Sequence, residues 1–262
     1  MAALAVIVFW GGLLIAARLY PSEYDWRYIT VSILLSPDRD PTGRSWASGG
    51  IALGALCGMG WAAGLARLWR REHVGRRPAG LTALQVGCFF MAWSAAPSAL
   101  LPRVPKGHEV LAALAFTGLC LGMIQFGFRT IERTLARRMG DSAHRPRLYA
   151  IVSAGVAMLP ILLAGITQAY VFSERPDLSW VGLSWRDHGI PPYLSVAFWE
   201  WITCVVISTY VLIIALAAHD LLNDDHPTPE WNAGPGWRQR VDPSRYGSAS
   251  IEPTRHSCTN GP

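Results

Sequence analysis

The residues of this sequence that could carry chemistry lie mostly in polar stretches beside apolar segments. The most informative is Glu200, which stands between two tryptophans near the start of an apolar segment. A carboxylate there is costly unless it is shallow, paired or protonated, so it predicts an interfacial glutamate, a headgroup, cation or proton site, or a helix that begins later. The candidate ligand-binding residues are Asp25, Arg27, Asp38, Trp185, Asp187, His188 and Glu200.

Carboxylates and an imidazole could together ligate a metal or form an acid–base pair. The sequence contains no His-x-x-x-His or His-Glu-x-x-His pair, and no Gly-x-Ser-x-Gly, Walker or Rossmann pattern. Proline and aspartate at Ser36-Pro37-Asp38 and Asp40-Pro41-Thr42-Gly43 favour turns instead. We therefore assign no metal, no cofactor and no catalytic residue, and we favour a non-enzymatic function with an enzyme as the alternative.

The composition indicates that these residues are positioned by membrane helices. Only 16% of the 262 residues are charged and 51% are hydrophobic, whereas soluble domains carry about 25% charged residues. Stretches of about 20 apolar residues predict transmembrane helices. The sequence predicts an all-α membrane protein with six transmembrane helices, at about residues 2–20, 49–69, 81–101, 109–128, 148–172 and 194–218.

The basic residues predict the orientation of these spans. The net charge is +5, and the loops after the second and fourth spans carry eleven arginines against seven basic residues in the alternate loops. Basic residues near span ends favour the cytoplasm. We expect a multi-pass protein of the cell membrane, with both termini cytoplasmic and no nucleic-acid partner.

The chain divides by composition near residue 225. Residues 1–225 form the predicted six-helix domain, whereas residues 226–262 are rich in proline, glycine and charge and lack a long apolar stripe. Such a segment cannot bury enough surface to offset its ordering entropy. It is predicted to be a disordered cytoplasmic tail.

Glycines at four-residue spacing predict close helix contacts. Gly50, Gly54 and Gly58 lie on one stripe of the second span, and Gly118 and Gly122 lie in the fourth. Small residues let helix backbones approach each other. The stripe in the second span indicates packing within the chain or a partner, either another membrane protein or a second copy in a homodimer.

The stretch from Tyr20 to Gly49 is predicted to be a structured outer loop. It contains Tyr24, Asp25, Ser32, Ser36 and Pro37, a Tyr-Asp…Ser…Pro pattern directly after the first span. On this pattern, the span count and the size, the chain resembles six-span membrane proteins of the Frag1/DRAM/Sfk1 type and related uncharacterised bacterial families. The resemblance implies membrane lipid handling and assigns no catalytic residue.

Three functions remain open at this level. We favour binding of a membrane lipid or another amphiphile, or an accessory role in a membrane complex. The alternatives are an intramembrane enzyme acting on lipid through Glu200, Asp187 and His188, and a small transporter that uses helix kinks at Pro97 and Pro160. The outer tryptophans fit either an interfacial belt or an amphiphile pocket.

Overall fold

Helices account for all regular secondary structure in the part of the chain that the computed structural model describes, namely residues 1–72, 79–95, 107–139, 144–174 and 184–223. The prediction of an all-α chain is confirmed for these ranges. In chain order the α-helices are α1 Ala2–Leu19, α2 Arg44–Glu72, α3 Ala79–Ser94, α4 Gly107–Gly122, α5 Phe128–Met139, α6 His144–Glu174, α7 Ser184–Asp187 and α8 Val196–Asn223.

Five helical stretches of the described chain are long and apolar enough to cross a membrane. They lie at Ala2–Leu19, Arg44–Arg67, Val110–Ala136, Arg145–Val171 and Val196–Asp220. Helix α3, which covers the start of the predicted third span, has 16 residues. The remainder of that span, including Pro97, lies outside the described residues, as does the predicted tail over 226–262.

The lipid-facing character of these helices is visible in their exposed side chains. On α6, Ile151, Val156, Leu162 and Ile166 are each more than half exposed. Large apolar side chains along one face of a long helix have no favourable contact with water, and lipid chains are their natural surroundings. The long apolar helices and this face together indicate a membrane protein.

The helix that contains the predicted fourth span continues beyond residue 128. Helix α4 runs through a π-helical turn at Met123–Gly127 into α5, so residues 129–139, which were predicted to belong to a loop, are helical. The segment is rich in arginine, but Thr130, Ile131 and Thr134 form a buried face against α6 and α8. Packing of that face keeps a locally polar sequence helical.

Small residues set the closest helix contacts. A Cβ placed on Gly12 of α1 would lie 2.5 Å from the Cα atom of Gly50 in α2. A Cβ on Gly54 would meet Phe9 of α1 at 3.0 Å, and one on Gly58 would meet the sulfur of Cys88 in α3 at 3.2 Å. The glycine stripe of α2 is therefore used within the chain, as the intramolecular alternative expected.

The predicted pair Gly118 and Gly122 forms a second close contact. A Cβ on Gly118 of α4 would lie 2.7 Å from the Cα atom of Gly87 in α3, and one on Gly122 would lie 2.7 Å from Leu84. Helix α3 thus joins α2 to α4. The close-approach prediction for Gly118 and Gly122 is confirmed.

The residues between α1 and α2, here called the first connection (residues 20–43), form a folded segment. They include a short 3-10 helix at Val31–Leu35, whose Val31 and Leu34 are buried against α1, α2 and α8. The stretch predicted as loop over 44–49 is instead the first turn of α2. A structured connection was predicted, and the described residues confirm it.

Candidate functional site

A cavity of about 190 Å³ lies beneath the first connection. Helices α1, α2, α3, α4 and α8 form its wall, and the 3-10 helix at Val31–Leu35 covers part of it. Its side chains are almost all apolar. The lining residues used below are Phe9, Ala112, Phe116, Leu119, Glu200 and Cys204. An engineered cavity of about 150 Å³ in another protein holds one benzene molecule, so this space is large enough for a small apolar group or part of an alkyl chain.

Glu200 supplies the one carboxylate among the described residues that line this cavity. It lies in the first turns of α8, which begins at Val196. Its Oε2 atom accepts a hydrogen bond from the backbone N–H of Val31 at 3.0 Å. The side chain is only partly buried. A carboxylate is thus held between the folded first connection and an apolar chamber.

The three serine side chains among the described lining residues already have hydrogen-bond partners inside the protein. Trp10 donates its indole N–H to Oγ of Ser208 at 3.0 Å, and the Ser94 hydroxyl donates to the carbonyl of Met91 at 2.9 Å. Ser32 shares a hydrogen bond of 2.8 Å with Thr30. Because these hydroxyls are engaged, Glu200 is the strongest polar feature that the cavity offers to a guest.

Three hydrogen bonds fix the first connection over the cavity. Trp201 of α8 donates its indole N–H to the carbonyl of Ile29 at 3.0 Å, and Tyr24 donates to the same carbonyl at 3.2 Å. The hydroxyl of Tyr28 donates to the carbonyl of Ile190 at 2.8 Å. Burial raises the pKa of Tyr24, so its phenol stays protonated and remains a donor. The first connection is therefore a fixed cover.

Asp25 and Arg27 form a structural pair within the first connection. The buried Asp25 carboxylate accepts hydrogen bonds from Nε of Arg27 at 2.8 Å and from its Nη2 atom at 2.9 Å. The backbone N–H groups of Tyr28 and Ile29 donate to the Asp25 carbonyl. The side-chain bond from Arg27 lowers the pKa of Asp25 against the opposing effect of burial. Both predicted site residues are therefore engaged with each other.

This pair predicts a pH-dependent stability. The pKa of Asp25 is lower in the folded chain than in the unfolded chain. Its ionised form therefore stabilises the fold above the unfolded pKa of about 3.9. This stabilisation is lost as pH falls through the pKa of the folded chain. We expect the melting temperature of the wild type to exceed that of Asp25→Asn at pH 6, and this gap to narrow toward pH 3. Asp38→Asn, at an exposed carboxylate, should show no such gap. A gap independent of pH would contradict the ion-pair interpretation.

Asp40 completes a predicted turn before α2. Its side chain is fully buried, and Oδ1 accepts a hydrogen bond from the backbone N–H of Gly43 at 2.8 Å. The backbone N–H of Arg44 donates to the Asp40 carbonyl at 3.1 Å. Burial raises the pKa of this carboxyl. The turn predicted for Asp40-Pro41-Thr42-Gly43 is confirmed.

The remaining predicted site residues do not converge on the cavity. Trp185 is buried in a small apolar cluster with Tyr28, Val171 and Ile190. Asp187 and His188 are exposed, and an Asp187 oxygen lies 3.7 Å from Nε of Arg186. Of the predicted set, only Glu200 lines the cavity. Trp185 packs against Tyr28 of the first connection without reaching the cavity.

Sequence reasoning missed the residues that enclose the cavity. Phe116, Leu119 and Cys204 are ordinary apolar residues of membrane helices, and nothing in their spacing marks them as a lining. Only Glu200 carried a signal, because a carboxylate is rare in such a segment.

Within the described ranges, no group of three or more histidine, cysteine, aspartate or glutamate side chains is placed to hold a metal ion. The described lining of the cavity is thus apolar apart from Glu200 and a few hydroxyl groups. No family model, curated protein or solved structure matches this chain.

Proposed function

We propose that this chain is a multi-pass membrane protein that binds an amphiphile, such as a membrane lipid, in the cavity beneath the first connection. The observation that carries this proposal is an apolar chamber of about 190 Å³ with a single carboxylate, Glu200, among its described lining residues. An apolar chain gains roughly 0.8 kcal/mol for each buried methylene. A polar end next to Glu200 would fix its orientation.

In the proposed topology, α3 and the residues after it complete a sixth span, and both termini face the cytoplasm. The distribution of arginine supports this orientation. In this orientation the first connection lies on the outer side of the cell membrane, and the tail over 226–262 lies inside. The resemblance to six-span proteins associated with lipid handling fits the same proposal.

An enzyme is the weaker alternative. Hydrolysis needs a nucleophile or an activated water within hydrogen-bond reach of a base. Glu200 contacts the backbone N–H of Val31, while Asp187 and His188 are exposed and do not line the cavity. A transporter is weaker too, since it needs a polar site near the bilayer midplane and Pro160 of α6 is not among the residues that line the cavity.

The test is a photo-activatable neutral amphiphile, a diazirine-bearing decanol, added to the purified protein in mild detergent. We expect crosslinks to peptides of α4 and α8 that line the cavity. Ala112→Phe should reduce this labelling about tenfold or more, because an aromatic ring fills most of such a space and displacing two methylenes costs about 1.6 kcal/mol.

The matched control is Ala113→Phe, which places the same ring at the next residue of α4, on an exposed position that does not line the cavity. It should label like the wild type. Equal labelling of Ala112→Phe and Ala113→Phe would contradict the proposal, as would crosslinks spread over the exposed faces of α6.

A further inference from the structure

The described part of the cavity wall carries an unbalanced charge. Among the described residues that line the cavity, none is arginine, lysine or histidine, and Glu200 is the one acid. The arginines of the first connection do not neutralise it: Arg27 is paired with Asp25, and the described ranges contain no ion pair that involves Glu200. The described residues of the cavity wall thus supply no positive charge to balance this carboxylate.

The local hydrogen bonds leave room for a further partner. An ionised carboxylate has two oxygens and about four acceptor positions, and the backbone N–H groups of Val31 and Ser32 occupy about two of them. The serine hydroxyls of the wall are bonded elsewhere, as described above. A guest with N–H donors would therefore meet a carboxylate with unused acceptor capacity.

The chamber next to this carboxylate is apolar, and this limits which hydrogen-bond donor groups of a ligand are favourable there. A charge placed in apolar surroundings is costly unless an opposite charge accompanies it. A neutral alcohol donates one hydrogen bond but leaves that charge uncompensated. An ammonium group donates up to three and compensates the charge as well. A fatty acid brings a second negative charge and is disfavoured.

We propose that the cavity selects a cationic amphiphile, a primary ammonium group on a single alkyl chain, with Glu200 as the counter-ion and the apolar wall holding the first part of the chain. This inference rests on the proposed amphiphile binding and specifies its ligand class. The volume of about 190 Å³ accommodates part of one chain rather than two. The first connection covers the ammonium end and separates the ion pair from water.

The experiment compares three diazirine probes with the same ten-carbon chain, ending in an amine, an alcohol and a carboxylic acid. Labelling of cavity peptides is quantified by mass spectrometry at pH 7 and normalised to labelling of exposed α6 peptides, which corrects for partition into the detergent. For the wild type we expect the amine to label about tenfold more than the alcohol, which corresponds to one strong charge-assisted hydrogen bond. The acid should label least.

Glu200→Gln tests the counter-ion while retaining an oxygen that can accept the Val31 hydrogen bond. In this variant the amine-to-alcohol ratio should fall to about one, whereas Glu200→Asp, which keeps the charge, should retain a preference for the amine. Glu23→Gln removes an exposed carboxylate of the same first connection and should leave the ratio unchanged.

The outcomes separate the two proposals. Cavity labelling by the alcohol with an amine-to-alcohol ratio near one in the wild type would overturn the cationic selectivity and leave amphiphile binding standing. A ratio that persists in Glu200→Gln would overturn the role of Glu200 as counter-ion. Absence of cavity labelling with all three probes would overturn both proposals.

Discussion

Valine in place of Gly118 should destabilise the helical bundle more than any other substitution considered for α4. A Cβ at this position would lie 2.7 Å from the Cα atom and 2.8 Å from the backbone nitrogen of Gly87 in α3. These are backbone atoms, which cannot move aside as a side chain can, so the two helices must separate. We expect a loss of about 3 kcal/mol or more, at the upper end of the overpacking range.

The measurement is the melting temperature of the purified protein in mild detergent, together with the yield of monodisperse protein. Gly155→Val in α6 is the matched control, because a Cβ there meets no atom within 4 Å. Both variants replace glycine with the same β-branched residue in an apolar helix. The effect of helix propensity on stability is therefore the same in both, and the difference between them reports the α3–α4 contact. Equal losses in the two variants would show that the α3–α4 contact is not the cause.

Alanine in place of Trp201 should release the first connection from α8. The Trp201 side chain is buried, donates a hydrogen bond to the Ile29 carbonyl and packs against Trp10 with a centroid separation of 5.8 Å. Large-to-small substitutions of buried tryptophan cost about 3–5 kcal/mol. The truncation also removes one of the two donors to the Ile29 carbonyl.

Hydrogen exchange measured by mass spectrometry distinguishes local release from global unfolding. In Trp201→Ala, amides of residues 28–36 should exchange faster while those of α6 keep their protection. Trp46→Ala is the control, because Trp46 is 53% exposed and lies in the first turn of α2. If exchange in residues 28–36 were unchanged in Trp201→Ala, the anchoring role of Trp201 would be wrong.

The sequence predicted the helices well because hydropathy reports directly on contact with lipid. The predicted first span at 2–20 corresponds to α1, and the segment at 148–172 lies within α6. Helix α5 was missed because its arginines resemble a polar loop. Its helical state depends on Thr130 and Thr134, which are buried against other helices, and such packing has no signature in a local window.

The site was predicted less completely, and Glu200 shows why. Its position between two tryptophans indicated an unusual carboxylate that had to be shallow, paired or protonated. The structure gives it the backbone amides of Val31 and Ser32, and every non-proline residue carries such a group. Sequence reasoning can therefore single out a costly side chain, but only the fold shows which amide lies beside it and which apolar residues enclose the space.

The hydrogen bonds that hold the first connection can form only late in synthesis, because their partners lie near the end of the helical region. Tyr28 is 162 residues from Ile190, Val31 is 169 residues from Glu200, and Ile29 is 172 residues from Trp201. At 5–20 residues per second, the ribosome takes roughly 10–30 s to add that length of chain. Throughout this interval the nascent protein carries the first connection without any of these partners. The cavity is therefore closed last, and a chain truncated before α8 would carry a chamber that lacks both its cover contacts and its acid.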